Sequence, residues 1–471
     1  MAAASAKKPR IGVLALTLEL YETLSPGVRA GREKWLRKGA LPDLAEFAEV
    51  RFDRAAFRAE DVQEIVSSYE ADGIEGLIVV CLTYSPSQVS LPALARTRLP
   101  ILVWNTQELA GVDESYSGAD MTNNHGVHGT QDLCNVLLRS GVPFEYVTSL
   151  PNEEAGLAPI RDWALAAGAV AGLRRARLGL LGYPFPGMGD FAADMTQVAA
   201  TLGCQWTALS VAEYVDRSAA AKPISVGKLR SDYRQRYAVA ADVTDEDLEA
   251  TARAELAVRG MVRDHRLDAF SYQFMAFGED ERTVTLPFVA ASRLMAEGVG
   301  FAGEGDLVGA AGCRLLNRLS PPAGFTEIFT IDFAGESVFM SHMGEANVAM
   351  SRPDRKVALV ARPTQITRTR GRQLALATVM RPGPATLCAL ALGPAQRWRL
   401  VVGRMNVEEF GPLPSMAVPH FKAAPEGGSV RDFLTRYAKA GGPHHSAICF
   451  GDATGRLRQA ARLLGADYCE V

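Results

Sequence analysis

Histidine is scarce in this chain, with seven copies among 471 residues, and most copies stand in polar or glycine-rich company. His125 and His128 lie in Asn123-Asn124-His125-Gly126-Val127-His128-Gly129, and His342 lies in Ser341-His342-Met343-Gly344-Glu345. His420 follows Pro419, and His444-His445 follow Gly442-Pro443. Two carboxylates stand out beside them. Glu304 is set among glycines in Gly300-Phe301-Ala302-Gly303-Glu304-Gly305-Asp306, a loop pattern, and Glu327 reads as the opening of the strand Ile328-Phe329-Thr330-Ile331. Imidazole nitrogens and carboxylate oxygens together are the donors of a divalent transition-metal site that handles oxygen-rich substrates. The ordinary reading competes with this one. An isolated histidine is usually a surface or satisfied core residue, and Gly-Glu-Gly-Asp is most often a turn. Spacing alone does not assemble residues scattered from 125 to 445.

The elements that must position them follow from hydropathy. Ile11–Leu16, Gly76–Cys81 and Pro100–Trp104 are near-continuous apolar runs of strand length, as expected for strands buried on both faces of a parallel sheet. Between them Ala59–Ala71 repeats apolar residues at helical spacing, and strand–helix alternation implies an open α/β sheet. A second unit starts near Arg174, with strands at Arg177–Leu181 and Asp268–Gln273 and helices over Asp242–Arg263 and Leu286–Glu297. After Ser320-Pro321-Pro322, strand-like runs follow one another without helices: Glu327–Phe333, Ser337–His342, Lys356–Arg362, Leu374–Met380, Ala385–Leu392 and Arg397–Val402. That texture predicts an antiparallel sheet or barrel. The ending predicts helix Val430–Lys439, strand Ser446–Phe450 and helix Thr454–Leu464. The expected architecture is α/β over 1–172 and 173–320, then a β-rich domain over 321–471.

Composition excludes several classes. Fifty basic and fifty-three acidic residues leave a net charge of -3, which gives no electrostatic reason to bind nucleic acid or an anionic membrane. No apolar run approaches the ~20 residues that cross a bilayer. The seven cysteines never form a C-x-x-C pair, so reduced thiols in a cytoplasmic protein are expected.

Taken as ordered segments, these residues resemble the L-arabinose isomerase family within the L-fucose and L-arabinose isomerases. The resemblance rests on Gly300 to Asp306, on Glu327 followed by Ser341-His342-Met343-Gly344-Glu345, on Gly441-Gly442-Pro443-His444-His445-Ser446, and on Asn123 to Gly129 with Asn105-Thr106-Gln107 before it. It implies two Rossmann-like open α/β domains followed by an antiparallel β-barrel domain. It also implies aldose–ketose interconversion between C1 and C2 through a cis-enediolate stabilised by a divalent metal, usually Mn2+. Glu304, Glu327, His342 and His445 match the family's metal ligands, with Glu304 and Glu327 as its acid/base pair. The resemblance leaves open whether His444 or His445 ligates. His128 matches a sugar-contacting residue, and His125, His444, Met188 and Tyr272 are further expected substrate contacts. The implied assembly is a trimer or hexamer with sites at subunit interfaces.

The chain departs from the family where the sugar is held. Leu18 or Glu19 stands where the family has a glutamine, His125 stands where it has another, and Ile328-Phe329 lacks its tyrosine. Buried hydrogen-bonding groups set substrate choice by large factors, so the metal chemistry is expected to persist with a changed sugar. The competing expectations are an epimerase or other enediolate rearrangement of a modified sugar, and a non-catalytic sugar-binding protein.

Overall fold

The computed structural model describes residues 7–362 and 365–471. The chain forms two compact units, residues 7–171 and 172–471. The first is built on strands β1 (Arg10–Leu16), β2 (Glu49–Arg51), β3 (Ala55–Ala56), β4 (Gly76–Cys81), β5 (Ile101–Asn105) and β6 (Glu145–Thr148). They form one parallel sheet in the order β2-β1-β4-β5-β6, with β3 also paired to β1. β4 is buried along its whole length, which is why it reads as an unbroken apolar run. The helix Ala59–Ala71 turns Val62, Ile65, Val66 and Tyr69 inward as its periodicity predicts.

The second unit contains two layers. Strands β7 (Arg177–Leu181), β8 (Gln205–Leu209), β10 (Ala269–Tyr272) and β11 (Gly300–Ala302) make a parallel sheet in the order β11-β10-β7-β8, while the short β9 (Ala238–Val239) lies outside it. Then come β12 (Ala323–Asp332), β13 (Ser337–Ser341), β14 (Ala358–Ala361), β15 (Leu374–Ala377), β16 (Gly383–Leu392), β17 (Trp398–Val407), β18 (His420–Pro425), β19 (His445–Phe450) and β20 (Asp467–Glu470). Six of these close an antiparallel barrel in the order β16-β19-β12-β13-β18-β17, with β17 returning to β16 and β20 added outside on β17. Its interior is packed with Val338, Met340, Leu387, Val401, Ala423 and Ile448, each at most 1% exposed. The fold is therefore mixed α/β with two parallel sheets and a closed antiparallel barrel.

Three expectations about individual strands are corrected. Glu327 does not open its strand, because β12 begins at Ala323. β14 and β15 leave the barrel and pair instead with β9 in a small separate sheet. The barrel strand that hydropathy does not mark is β18, His-Phe-Lys-Ala-Ala-Pro, which has no β-branched residue and ends in proline.

Candidate metal centre and active site

Three adjacent barrel strands carry most of the site. In the ladders, Glu327 of β12 stands opposite Ser341 of β13 on one side and His445 of β19 on the other. Directly opposed side chains on antiparallel strands lie within about 5 Å at Cβ. Register thus places Glu327 beside His445, and it brings His342, which follows Ser341, to the same end of the barrel. Phe325, two residues before Glu327, lies edge-on to both His342 and His445, with ring centroids at 4.6 and 4.9 Å. Phe191 stacks on His445 at 5.3 Å.

Glu304 comes from another layer. It follows β11 at the carboxyl end of the parallel sheet, where open α/β sheets bind ligands. The loop's glycines have steric reasons. A Cβ on Gly303 would lie 2.6 Å from His342 Cε1, and one on Gly305 would lie 2.4 Å from the Tyr183 carbonyl oxygen. Glu304 itself is held at φ 61°, a left-handed conformation that costs a side-chain-bearing residue and clusters at functional sites. Asp306 then does two things. Its Oδ1 caps helix Leu307–Leu319 by accepting from the Gly309 N–H at 2.7 Å, and its Oδ2 accepts from His445 Nδ1 at 2.9 Å.

Glu304, Glu327, His444 and His445 each bring a donor atom within 4.8 Å of the others. His445 Nε2 is 3.1 Å from Glu327 Oε1 and 3.6 Å from Glu304 Oε2, neither on the line of a hydrogen bond. His342 stands next to this group, its ring 6.1 Å from that of His445, with Nδ1 held by Glu345 Oε2 at 2.6 Å. Nε2 of His342, Nε2 of His445 and Oε2 of Glu304 are all buried without a hydrogen-bond partner. Buried polar atoms are nearly always paired, and these three are the donor types of a divalent transition metal. Each of the two imidazoles also has the carboxylate partner on Nδ1 that metal-ligating histidines show. The residues present fit such an ion.

The electrostatics agree. Burial would keep His445 neutral, but the carboxylates around it, Asp306 on Nδ1 and Glu304 and Glu327 near Nε2, outweigh it and lift its pKa to about 11. Burial would raise Glu304, yet His444 and His445 pull it down to about 2. Burial also opposes charge on His342, but Glu345 and Glu327 raise its pKa. The carboxylates favour positive charge beside them, the kind of charge that a divalent cation would supply.

The remaining expected residues are placed as follows. His444 is 37% exposed at its side chain; its Nδ1 meets Asp190 Oδ2 at 2.5 Å, and its Nε2 lies 3.7 Å from oxygens of both Glu304 and Glu327. Met188 lies two residues before Asp190 on the same loop and is half-buried. Tyr272 is 1% exposed and donates its hydroxyl to Glu345 Oε1. It thus stands behind His342. His125 and His128 belong to the first unit, with rings 5.9 Å apart. There His125 Nε2 accepts from the Tyr84 N–H at 3.4 Å and meets the Tyr21 hydroxyl at 2.9 Å. Sequence reasoning missed Asp190 and the roles of Asp306, Glu345, Phe191 and Phe325. The usable signals were a capping aspartate ahead of a helix and a glutamate three residues after His342.

Residues 191–321 match the family model of the L-arabinose isomerase central domain, and residues 322–467 match that of the L-arabinose isomerase C-terminal domain. Side by side they span more than half of the chain. The chain belongs to the L-arabinose isomerase family. It is accordingly an enzyme, a sugar isomerase that interconverts aldose and ketose. The L-arabinose isomerase of Acidothermus cellulolyticus is 28% identical over 407 residues, covering 84% of this chain and 80% of that protein. That of a Nocardioides species is 29% identical over 436 residues, covering 86% and 82%. That of Mycolicibacterium smegmatis is 26% identical over 411 residues, covering 84% and 80%. Among the described residues no helix is long and apolar enough to cross a membrane.

Proposed function

We propose that this isomerase is metal-dependent, binding one divalent cation, most simply Mn2+, through Glu304, Glu327, His342 and His445. The observation that supports the reading is the convergence of Glu304, Glu327 and His445 with His342 beside them, where Glu304 Oε2 and the Nε2 atoms of both histidines are buried and unpartnered. When bound, the cation lowers the cost of the negative charge that develops on the sugar's carbonyl and neighbouring hydroxyl oxygens as a carbon-bound proton leaves. Glu304 and Glu327 are the acid/base pair: one carboxylate removes the proton from C2 of the aldose, the other, as the carboxylic acid, delivers a proton to C1 of the cis-enediol, and the proton of the C2 hydroxyl passes to O1. Phe325 and Phe191, packed on the imidazoles, exclude water from one side of the site. His444, anchored on Asp190 and facing both carboxylates, is a sugar-hydroxyl contact, with Met188 on the Asp190 loop beside it. His125 and His128 are the sugar contacts of the first unit.

The relatives are named for L-arabinose. Here Leu18 or Glu19 stands in place of one glutamine that the resemblance assigns to sugar binding and His125 in place of another, which favours a different aldose or a modified sugar. The remaining parts of the reading are a cytoplasmic homo-oligomer, a trimer or hexamer with sites at subunit interfaces, and division of the chain into domains 1–172, 173–320 and 321–471. The test is a screen of aldose–ketose pairs with Mn2+ in deuterated water. The expected result is turnover of one pair with deuterium appearing at C1 or C2. No turnover of any pair, or product that never carries solvent deuterium, overturns the proton-transfer mechanism.

A further inference from the structure

The cation-facing histidines are each held from behind by a buried carboxylate, and the two carboxylates are held differently. Asp306, behind His445, is fixed by a backbone N–H, that of Gly309. Glu345, behind His342, is 2% exposed, and its second oxygen accepts from the hydroxyl of Tyr272. That phenol is not free to turn away. Tyr272 is the last residue of β10, and its ring is wedged against Phe277 at 5.7 Å and Phe301 at 5.3 Å. Gly344 is equally confined, since a Cβ there would lie 2.7 Å from the Phe288 ring. Main chain and side chain therefore both pin Glu345 in place.

We infer that Tyr272 is a positioning residue for the cation: it orients Glu345, which holds the Nδ1–H of His342 and so aims the Nε2 lone pair into the site. This rests on the cation reading given above. It also gives Tyr272 a different task from the one its place at a strand end first suggests. A tyrosine lining the sugar pocket would govern sugar affinity, whereas one acting through Glu345 and His342 governs cation affinity. Partners of metal-ligating histidines typically contribute about 10- to 100-fold to metal affinity.

The experiment is a titration of Mn2+ into the full chain, with free Mn2+ followed by electron paramagnetic resonance, for the wild type, Tyr272→Phe and Glu345→Gln. Tyr272→Phe removes one oxygen and keeps the wedged ring. The expected result is one Mn2+ per chain in the wild type, affinity about 10-fold weaker in Tyr272→Phe and at least as weak in Glu345→Gln, with KM for the sugar at saturating Mn2+ unchanged. Wild-type affinity in a folded Tyr272→Phe, or a raised KM with unchanged Mn2+ affinity, overturns the inference and leaves the cation reading standing. Should Tyr272→Phe not fold, wild-type affinity in Glu345→Gln overturns it equally. A wild type that binds no Mn2+ overturns the cation reading itself, and the inference with it.

Discussion

The two parallel sheets share a design and differ in chemistry. In each, the first strand lies inside the sheet and the order reverses beside it, between β1 and β4 in one and between β7 and β10 in the other. Such a reversal opens a crevice at the carboxyl ends of the strands. At those ends the first sheet presents Thr83, Tyr84 and, through its helices, Tyr21 and His125. Helix Gly126–Arg139 can lie close over the end of β4 because Gly126 and Gly129 have no side chain; a Cβ on Gly126 would sit 2.1 Å from the Cys81 carbonyl oxygen. Burial pushes the His125 pKa down, and this end is rich in hydroxyls, with Asp132 accepting from the Tyr84 hydroxyl. The second sheet delivers Glu304 into a group of carboxylates and imidazoles that hold the Glu304 pKa down and the His445 pKa up. Topology supplies the place and side chains decide what happens there.

The largest expected effect sharpens that contrast. Glu304→Gln and Glu327→Gln should each lower kcat by at least about 10³-fold, the upper part of the range for general acid–base catalysis, with circular dichroism unchanged. The matched substitution in the first sheet, His125→Gln, should change KM or sugar preference while Mn2+ affinity stays as in the wild type. Equal loss of kcat in all three breaks the contrast. Next in size is Asp306→Ala, which frees His445 and uncaps a helix. Mn2+ affinity should fall by about 10- to 100-fold, and the urea midpoint should show a loss of about 1–2 kcal/mol.

Cation binding should also divide the chain. At 100 times its Kd a ligand that binds only the folded state stabilises it by about 2.7 kcal/mol. Hydrogen exchange with and without Mn2+ should therefore slow in β12, β13 and β19 and stay unchanged in β1 and β4. Protection spread evenly over both sheets contradicts the assignment. The smallest effect is a control in the first unit. Ser117 caps helix Gly118–Asn123 in a capping box with Asp120, and Ser117→Ala should cost about 1 kcal/mol or less without changing Mn2+ affinity.

What could be read from sequence follows physical lines. The central strands of the parallel sheets announce themselves because burial on both faces leaves almost no polar positions, as in β1 and β4, whereas β6 and β8, largely open to solvent, do not. Helices Ala59–Ala71, Val430–Lys439 and Thr454–Leu464 lie where their spacing predicts. Glu304 and His445 draw attention because their segments repeat a family pattern; the glycines around Glu304 by themselves read as a turn, and only the fold shows the contacts that require them. Sheet partners were not legible. Nothing in Leu374–Ala377 says that it pairs with β14 away from the barrel, and nothing in β18 says that it belongs inside it. Asp190 was hidden for a related reason: it lies in a glycine-rich turn, and only the fold brings it to His444, 254 residues away. Tyr272 sits at a strand end that suggests a pocket wall, and only the folded chain brings its hydroxyl to Glu345.

The central claim is that Glu304, Glu327, His342 and His445 grip a single divalent cation. Anomalous difference scattering from crystals of the full chain soaked in Mn2+ tests it most directly. The account predicts one strong peak per chain, bounded by those four side chains with the Nε2 atoms of both histidines turned toward it. A site left empty in fully soaked crystals, or a peak held by other residues, contradicts it.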